Sequence, residues 1–429
     1  MNKVTTTQES TNNAINKKTK KLDVVMTVAW ILAIVSAFII HPSPEYISYI
    51  DFRSLGILWG LMVIIQGLKE NSVFERIAQV LLSKVQADWQ LVAVLVAMCY
   101  IGSMLITNDV ALITFVPFAI MILHNCNRDD IMIPVIVLQT IAANLGSMLT
   151  PIGNPQNLYM YGLTDMGLME FILIMLPYSL LAAALIAASI FFIFRNTIIN
   201  NKKVAPKAKT SNSIEEVIYS STSEKINNIT SSNTNTTTSY TKLELSYERQ
   251  IVSRFGSRTQ IIIYSILFVI ALLTVMRFIP WYVFGVVVLL IVGGMDYKIL
   301  LRADYILLLT FIGFFIFTGN MGRIEVISTF LGRVMSGREF IISVLTSQVI
   351  SNVPATLMLS GYTTNYRALI IGVNLGGLGT LIASMASLIS YKAYAKEYKS
   401  KSAEYIRTFT IYNIIFLIIL SAAYTLMTL

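Results

Sequence analysis

Apolar runs long enough to cross a membrane are the feature that most limits what this chain can fold into. A bilayer has a hydrocarbon core of about 30 Å, which a helix of about 20 apolar residues spans. Only 13% of the 429 residues are charged, about half the roughly 25% typical of soluble domains, which excludes a soluble globular protein. The sequence predicts an all-α polytopic protein of the cell membrane. Nine crossings are predicted, at 24–41, 54–68, 131–163, 168–195, 260–279, 281–297, 304–320, 365–395 and 405–428.

Two polar segments divide the chain. Residues 1–23 are polar and basic, and are predicted to be a disordered cytoplasmic tail without a secretory signal. Residues 196–258 are rich in Ser, Thr, Asn and Lys, have little to bury, and are predicted to be a disordered cytoplasmic linker. The remaining chain divides into a first transmembrane repeat at 24–195, a connecting helix at 259–280 and a second repeat at 281–429.

The distribution of basic residues predicts the orientation. With the N-terminus in the cytoplasm, 26 of the 32 Lys and Arg residues fall inside, as the positive-inside rule requires. Nine crossings then place the C-terminus outside. Eight of the nine net positive charges lie in the tail and linker, so the charge gives no reason to expect a nucleic-acid partner. The six basic residues outside are Arg53, Arg277, Arg323, Arg333, Arg338 and Arg367.

The two halves carry an internal repeat. Asp51 and Gly60 match Asp304 and Gly313, and Thr107-Asn108-Asp109-Val110-Ala111 resembles Ser351-Asn352-Val353-Pro354-Ala355. Seven identities over 18 positions then align without a gap. The odd connecting helix inverts the second half, and inverted repeats are a common architecture of secondary transporters. The identical pairs are Asn144/Asn374, Leu145/Leu375, Gly146/Gly376, Thr150/Thr380, Ile152/Ile382, Leu158/Leu388 and Tyr161/Tyr391.

Two apolar stretches, 90–123 and 339–361, are interrupted by polar residues and are predicted to be re-entrant hairpins. The first divides into two helices of about 13–16 residues, each too short to cross about 30 Å at 1.5 Å per residue. The tips would be Thr107-Asn108-Asp109 and Ser351-Asn352. The alternative for 90–123 is two tilted spans joined by a polar turn at the membrane surface.

Two predicted crossings contain helix-breaking residues at matched places. The run from Asn144 to Asn157 contains prolines, glycines and asparagines that cannot continue a helix smoothly, and Asn374 to Thr380 repeats the pattern with glycines, followed by Ser384 and Ser387. Carbonyl groups that a broken helix leaves without a hydrogen bond can bind a cation, and the N–H groups at a helix N-terminus can bind an anion. The alternative to a binding site is that these small residues only allow the helices to pack closely. For Gly377 the two interpretations are equally favoured. The candidate site comprises Thr107, Asn108, Asp109, Asn144, Gly146, Thr150, Gly153, Asn154, Asn157, Ser351, Asn352, Asn374, Gly376, Gly377 and Thr380, with a sodium ion near Asn108, Asn144, Asn352 and Asn374.

Asp109 is an acidic residue in the middle of an apolar stretch. A buried carboxylate in a bilayer is costly, which favours a role with a coupling ion, sodium or a proton. The alternative is a cap that accepts backbone N–H groups. Two cysteines and two histidines are too few for a cysteine-based metal centre or a haem site, so no cofactor is expected. No H-E-x-x-H, G-x-S-x-G or P-loop motif is present, and an enzyme is not expected.

These motifs resemble the ion transporter superfamily, and within it the citrate-transporter-like and arsenical-pump-like permeases. The resemblance implies two inverted repeats, each with a re-entrant hairpin, an elevator-type transporter and a homodimer. Sodium-coupled dicarboxylate and citrate carriers have Ser-Asn-Thr at both tips. The asparagines carry over as Asn108 and Asn352, whereas the third position does not, being Asp109 and Val353 here. Asn-Asp at the first tip is more similar to arsenite permeases and sodium/proton antiporters. The stretches that carry the resemblance are 50–53 with 60–64, 107–111, 150–157 and 351–355.

The leading functional hypothesis is a secondary transporter that moves a small anion or oxyanion, of the carboxylate or arsenite class. Coupling would use sodium or protons through Asp109 and the broken helices. A sodium/proton antiporter on the same fold is the first alternative, and a passive anion channel is the second. The partners expected are the solute, the lipid bilayer and a second copy of the chain.

Overall fold

The computed structural model describes residues 23–200 and 258–428, apart from Lys84, Gln86 and Asp165. The predicted tail at 1–23 and linker at 196–258 therefore lie almost wholly outside the described residues. Regular secondary structure in the described part is helical throughout. The helices before the gap are α1 Val24–Ile39, α2 Tyr46–Tyr49, α3 Phe52–Glu70, α4 Val73–Leu82, α5 Asp88–Ile106, α6 Asn108–Asn125, α7 Met132–Ser147, α8 Pro155–Leu163 and α9 Leu168–Asn200.

Nine further α-helices follow the gap. Short 3₁₀ turns at Asp129–Ile131, Ser360–Tyr362 and Lys399–Lys401 join some of the elements. The helices are α10 Arg258–Val275, α11 Trp281–Leu300, α12 Tyr305–Arg323, α13 Glu325–Met335, α14 Glu339–Ile350, α15 Asn352–Leu359, α16 Tyr366–Leu375, α17 Met385–Glu397 and α18 Ser402–Thr428.

In the described chain nine helical segments are long and apolar enough to cross a membrane, which confirms a polytopic membrane protein. They are not the same nine that the sequence predicts. The set includes α5 and α6, with 19 and 18 residues, whereas α1 has only 16 and the stretch 365–395 divides into α16 and α17. The prediction of 13–16 residues for α5 and α6 is wrong. The additional residues lie at the outer ends, because α5 begins at Asp88 and α6 ends at Asn125, beyond the predicted stretch 90–123.

The helices pack into two groups. The scaffold bundle comprises α1, α3, α10, α11 and α12, in which α1 packs on α12 and α3 packs on both α10 and α11. The site bundle comprises α5 to α9 and α14 to α18, with α7 at its centre. Every residue of α7 except Pro134 is buried, because α5, α6, α9, α17 and α18 all pack against it.

Glycines allow the scaffold helices to approach closely. A Cβ at Gly60 of α3 would lie 2.3 Å from the Phe284 ring of α11, and one at Gly313 of α12 would lie 3.1 Å from Ala29 of α1. Each pair joins one helix from before the gap to one from after it. The two halves of the chain therefore build the scaffold bundle together.

Ion pairs connect helix ends at the two faces of the molecule. Arg128, in the connection between α6 and α7, pairs with Asp88 at the start of α5, and Arg302 pairs with Glu70. Arg323 pairs with Glu45. In each pair the two residues belong to the same predicted side of the membrane. Which side faces the cytoplasm stays a prediction.

Candidate functional site

Two helix junctions have matching and unusual backbone conformations. Thr107, between α5 and α6, has φ 71° and ψ 149°, and Ser351, between α14 and α15, has φ 75° and ψ 155°. Non-glycine residues avoid this region at a cost of about 1–3 kcal/mol each, so the surrounding structure must hold them there. These junctions are the predicted tips. Each one reverses the chain between two helices that pack on each other.

Each tip is attached to a helix break. The backbone N–H of Asn108 donates to the Gly153 carbonyl over 3.2 Å, and that of Asn352 donates to the Ala383 carbonyl over 2.9 Å. Both asparagine side chains also accept from the next residue, through the N–H of Asp109 at 2.9 Å and of Val353 at 3.0 Å. The backbone N–H groups of Asn108 and Asn352 therefore attach the tips to the breaks. The side chains of the same residues stabilise the starts of α6 and α15.

The first break lies between Ser147, where α7 ends, and Pro155, where α8 begins. The Asn157 side-chain amide donates across it to the carbonyls of Ser147, Met148 and Thr150, over 3.3 to 3.4 Å. The Thr150 hydroxyl donates to the Met104 carbonyl of α5 over 2.5 Å, and Asn154 donates to the Ser147 hydroxyl over 2.7 Å. Amides and hydroxyls thus satisfy backbone groups that the helix no longer pairs.

The second break lies between Leu375, where α16 ends, and Met385, where α17 begins. Gln348 of α14 holds it, because its amide donates to the Gly376 and Leu378 carbonyls, both at 2.9 Å, and accepts from the Thr380 N–H at 3.0 Å. The Thr380 hydroxyl donates to the Gln348 carbonyl over 3.2 Å. Gln348 is absent from the predicted site residues, since no local motif marks it and its partners lie about 30 positions further along the chain.

The two breaks are joined to each other by side chains. Asn144 of α7 donates to the Ser387 hydroxyl over 3.2 Å and accepts from Ser384 over 3.0 Å and from Asn108 over 3.1 Å. Asn374 of α16 donates to the Asn157 side-chain oxygen over 2.7 Å. A buried network of amides and hydroxyls therefore connects the first tip with both breaks. The second tip lies beside the second break, since a Cβ at Gly377 would lie 2.9 Å from the Asn352 side-chain nitrogen.

These contacts recur at constant sequence offsets. Asn144 and Asn374 are separated by 230 positions, as are their partners Asn157 and Ser387. Gly153 and Ala383, the carbonyl partners of the tips, have the same separation. The observed contacts thus follow the register of the predicted internal repeat.

Two predicted site glycines have a packing role. A Cβ at Gly146 would lie 2.1 Å from the Tyr100 carbonyl oxygen of α5, and one at Gly376 would lie 2.8 Å from the Ser347 hydroxyl of α14. Gly153 is crowded within its own break, since a Cβ there would lie 2.1 Å from the Ser147 carbonyl oxygen. Gly146 and Gly376 let the broken helices pack closely on the tip helices, and this is the alternative that the sequence left open for small residues.

Several buried oxygens of the network have no hydrogen-bond partner in the described part of the chain. They include the side-chain oxygens of Asn154 and Asn374, each side chain being no more than 2% exposed. Neither amide atom of Gln156 is paired, although the residue is only 1% exposed. Buried polar groups are usually satisfied, and amide oxygens are suitable ligands for a hard cation or a solute hydroxyl. The described residues contain no cluster of three or more His, Cys, Asp or Glu that would hold a transition metal.

Asp109 lies in the first turn of α6, directly after the first tip, and is partly exposed. Within the described chain no side chain donates a hydrogen bond to its carboxylate. The Asp304 carboxylate, which precedes α12, is near enough to act on it electrostatically. Asp109 is the one charged residue among the predicted site residues, and the others brought together here are amides, hydroxyls and glycines.

Comparison with known proteins places this geometry in context. Residues 14–366 match the model of the citrate transporter family, described as CitMHS. An uncharacterized transporter of Methanocaldococcus jannaschii is 29% identical over 355 residues, which cover 82% of this chain and 84% of that protein. The inner membrane protein YbiR of Escherichia coli is 26% identical over 368 residues, which cover 83% of this chain and 84% of that protein. The silicon efflux transporter LSI3 of Oryza sativa is 30% identical over 32% of this chain and 28% of its own.

Proposed function

Because the chain belongs to the citrate transporter family, a family of membrane transporters, we propose that it is a secondary active transporter for a small anion or oxyanion. The observation that carries the proposal is the buried network through Asn108, Asn144 and Ser387, which joins a tip to both helix breaks. Discontinuous helices that meet inside a bundle are a recurrent way to bind substrate and coupling ions.

The solute class follows from the chemistry of the network. Its side chains are amides and hydroxyls, which donate to and accept from the oxygens of a carboxylate or of a hydroxylated oxyanion of the arsenite class. No lysine or arginine is among them, so helix N-termini and a bound cation would balance a negative charge on the solute. The matching family is named for citrate, a small carboxylate, and one relative that aligns over 32% of this chain is named for silicon efflux.

Coupling is proposed to occur at two places. Asp109 would exchange a proton or attract sodium beside the first tip. The unpaired oxygens of Asn154 and Asn374 would supply sodium ligands near Asn108, Asn144 and Asn352. Hard oxygen atoms and the carbonyls of broken helices suit such a cation. We further propose a homodimer, in which the site bundle moves against the scaffold bundle as an elevator, with the N-terminus and the linker in the cytoplasm and the C-terminus outside.

The site assignment is tested by uptake into proteoliposomes. The double variant Asn108→Ala, Asn352→Ala removes the side-chain amides that accept the N–H groups of Asp109 and Val353 and, at Asn108, donate to Asn144, and we expect uptake to fall more than tenfold. Asn413→Ala is the matched control, because Asn413 is buried in α18 and donates to the Phe409 carbonyl of its own helix. The candidate solutes are first ranked by thermal stabilisation with citrate, dicarboxylates, arsenite and sodium. Full uptake by the double variant would refute the assignment.

A sodium/proton antiporter is the second candidate, favoured by the Asp109 carboxylate, which no described side chain pairs. A carboxylate that alternates between a proton and sodium needs no organic solute. Vesicles with an internal pH indicator distinguish the two functions. A sodium-driven pH change without added solute would support antiport, whereas a change that requires solute would support the leading proposal.

A further inference from the structure

The site bundle rests on the scaffold bundle partly through α8, which packs against α3. A Cβ at Gly162 of α8 would lie 2.7 Å from the Ser54 hydroxyl and 3.5 Å from an Asp51 carboxylate oxygen. Asp51 and Ser54 form the N-terminus of α3, where the Asp51 carboxylate accepts the Ser54 N–H at 3.0 Å. This arrangement brings together an uncharged position of α8 and a capping carboxylate of α3.

The cap at Asp51, with φ −80° and ψ 84°, has a counterpart of nearly the same backbone conformation at Asp304, with φ −76° and ψ 79°. Asp304 accepts the N–H of Leu307 at the start of α12, also at 3.0 Å, and lies 253 positions after Asp51. The counterpart of Gly162, at the offset of 230 that relates the two breaks, is Lys392 of α17. It follows directly after Tyr391, which matches Tyr161. The equivalent of the Gly162–Asp51 contact is therefore a lysine facing an aspartate.

Lys392 and Asp304 are not engaged in this way in the structure. Both side chains are exposed, and neither takes part in an ion pair with a described residue. Helix α17 packs instead on α6 and α7. The scaffold thus has two similar helix N-termini, at Asp51 and at Asp304. The site bundle contacts the first of them through Gly162, the counterpart of Lys392.

We propose that the site bundle has a second docked arrangement, in which α17 packs on the N-terminus of α12 and the Lys392 ammonium pairs with the Asp304 carboxylate. This inference rests on the proposed transport function, which requires the site bundle to move. The long lysine side chain reaches further than the glycine it replaces, so α17 need not approach α12 as closely as α8 approaches α3. An exposed ion pair is weak and salt-sensitive, which suits a contact that must form and break.

Cysteine cross-linking in native membranes tests the arrangement without any solute. In a background with Cys99→Ala and Cys126→Ser, the pair Thr318→Cys, Gly361→Cys reports the present arrangement, since a Cβ at Gly361 would lie 3.7 Å from a Thr318 methyl group. The pair Asp304→Cys, Lys392→Cys reports the proposed one. We expect both pairs to cross-link. In a protein that carries all four cysteines, a bond formed first at Thr318→Cys, Gly361→Cys should block the second pair.

The ion pair is tested separately from the arrangement. Asp304→Asn keeps an oxygen to cap α12 but removes the charge, and Asp51→Asn is its matched control at the start of α3. At low salt, Asp304→Asn and Lys392→Gln should each shift the equilibrium roughly 1.4- to 5-fold toward the present arrangement, the range of exposed ion pairs. The cross-linking rate of Thr318→Cys, Gly361→Cys should therefore rise by up to this factor, and high salt should remove the difference. Asp51→Asn should leave the rate unchanged.

The outcomes separate this inference from the proposed function. If Asp304→Cys, Lys392→Cys does not cross-link in a background that retains uptake and cross-links at Thr318→Cys, Gly361→Cys, the second arrangement is wrong while the transport proposal stands. If both pairs cross-link but no solute or ion is moved, the second arrangement stands and the proposed function is wrong. Unchanged rates in Asp304→Asn and Lys392→Gln would refute the ion pair.

Discussion

The side-chain amide of Asn374 donates a 2.7 Å hydrogen bond to the side-chain oxygen of Asn157, across 217 positions of sequence. Asn374 lies one residue before the second helix break, and Asn157 lies just after the first. Asn144 and Ser387 form the counterpart of this bond in the opposite direction. The interior of the site bundle is therefore held together by reciprocal polar contacts between the two halves of the chain.

Removal of the Asn374 amide should destabilise the fold. Asn374→Ala leaves the buried oxygen of Asn157 without its donor, which costs about 1–3 kcal/mol. Asn413→Ala, which removes an amide that donates to its own helix, should cost less. Thermal unfolding of the purified proteins in detergent measures both. Equal midpoints for the two variants would show that the bond between the breaks contributes nothing to stability.

Gln348 should be necessary for the shape of the second break. Gln348→Ala releases the carbonyls of Gly376 and Leu378 and the N–H of Thr380, and we expect uptake to fall about tenfold, from the loss of one or two buried hydrogen bonds. Met104→Ala is the matched control, because Met104 is the counterpart of Gln348 and contributes its backbone carbonyl. The test compares the uptake rates of the two variants. A similar loss of uptake in both would contradict a specific role for the Gln348 amide.

Gly146 should not tolerate a methyl group. In Gly146→Ala the new Cβ would lie 2.1 Å from the Tyr100 carbonyl oxygen, so α5 and α7 must separate at a cost of about 1–3 kcal/mol or more. Gly285→Ala in α11 meets nothing within 4 Å and should gain up to about 1 kcal/mol from helix propensity. Thermal midpoints should therefore move in opposite directions, and a stable Gly146→Ala would show that these helices are not closely packed.

Asp109 should couple the driving ion to solute movement. Asp109→Asn keeps the size and polarity of the side chain but cannot bind and release a proton, and it attracts a cation less strongly. Solute counterflow in proteoliposomes should persist, whereas accumulation driven by a sodium or proton gradient should disappear. Asp51→Asn, a change of the capping carboxylate of α3, should leave both unaffected. Gradient-driven accumulation by Asp109→Asn would exclude this carboxylate as the coupling group.

The fold class and the positions of the helix breaks were predictable because local chemistry determines them. Pro151, Gly153 and Pro155 lie within five residues and together disfavour a continuous helix, and the second break follows the same logic with glycines. A single proline is tolerated, as Pro117 is inside α6. The lengths of α5 and α6 were not predictable in this way. Each helix extends two residues beyond the apolar stretch 90–123, to Asp88 and to Asn125, because a helix does not have to end where its apolar residues end.

The roles of individual site residues were predictable only in part. The matched asparagines Asn144 and Asn374 were found through the internal repeat, and the structure places both in the network. Gly146 was grouped with them because it is identical in the two halves, but its neighbour is the Tyr100 carbonyl, which sequence does not reveal. Gln348 acts through tertiary contacts alone, so a reading of local motifs cannot find it.

The packing of α1 on α12 has a consequence for biosynthesis. Ala29 lies next to Gly313, so α1 has a partner that is synthesised almost 300 residues later. Contacts so distant in sequence form late. Until α12 is inserted, the face of α1 that packs on α12 must be covered by lipid or by a chaperone. Assembly of the scaffold is therefore expected to be post-translational, with the earlier helices held as a partly packed intermediate until the second half arrives.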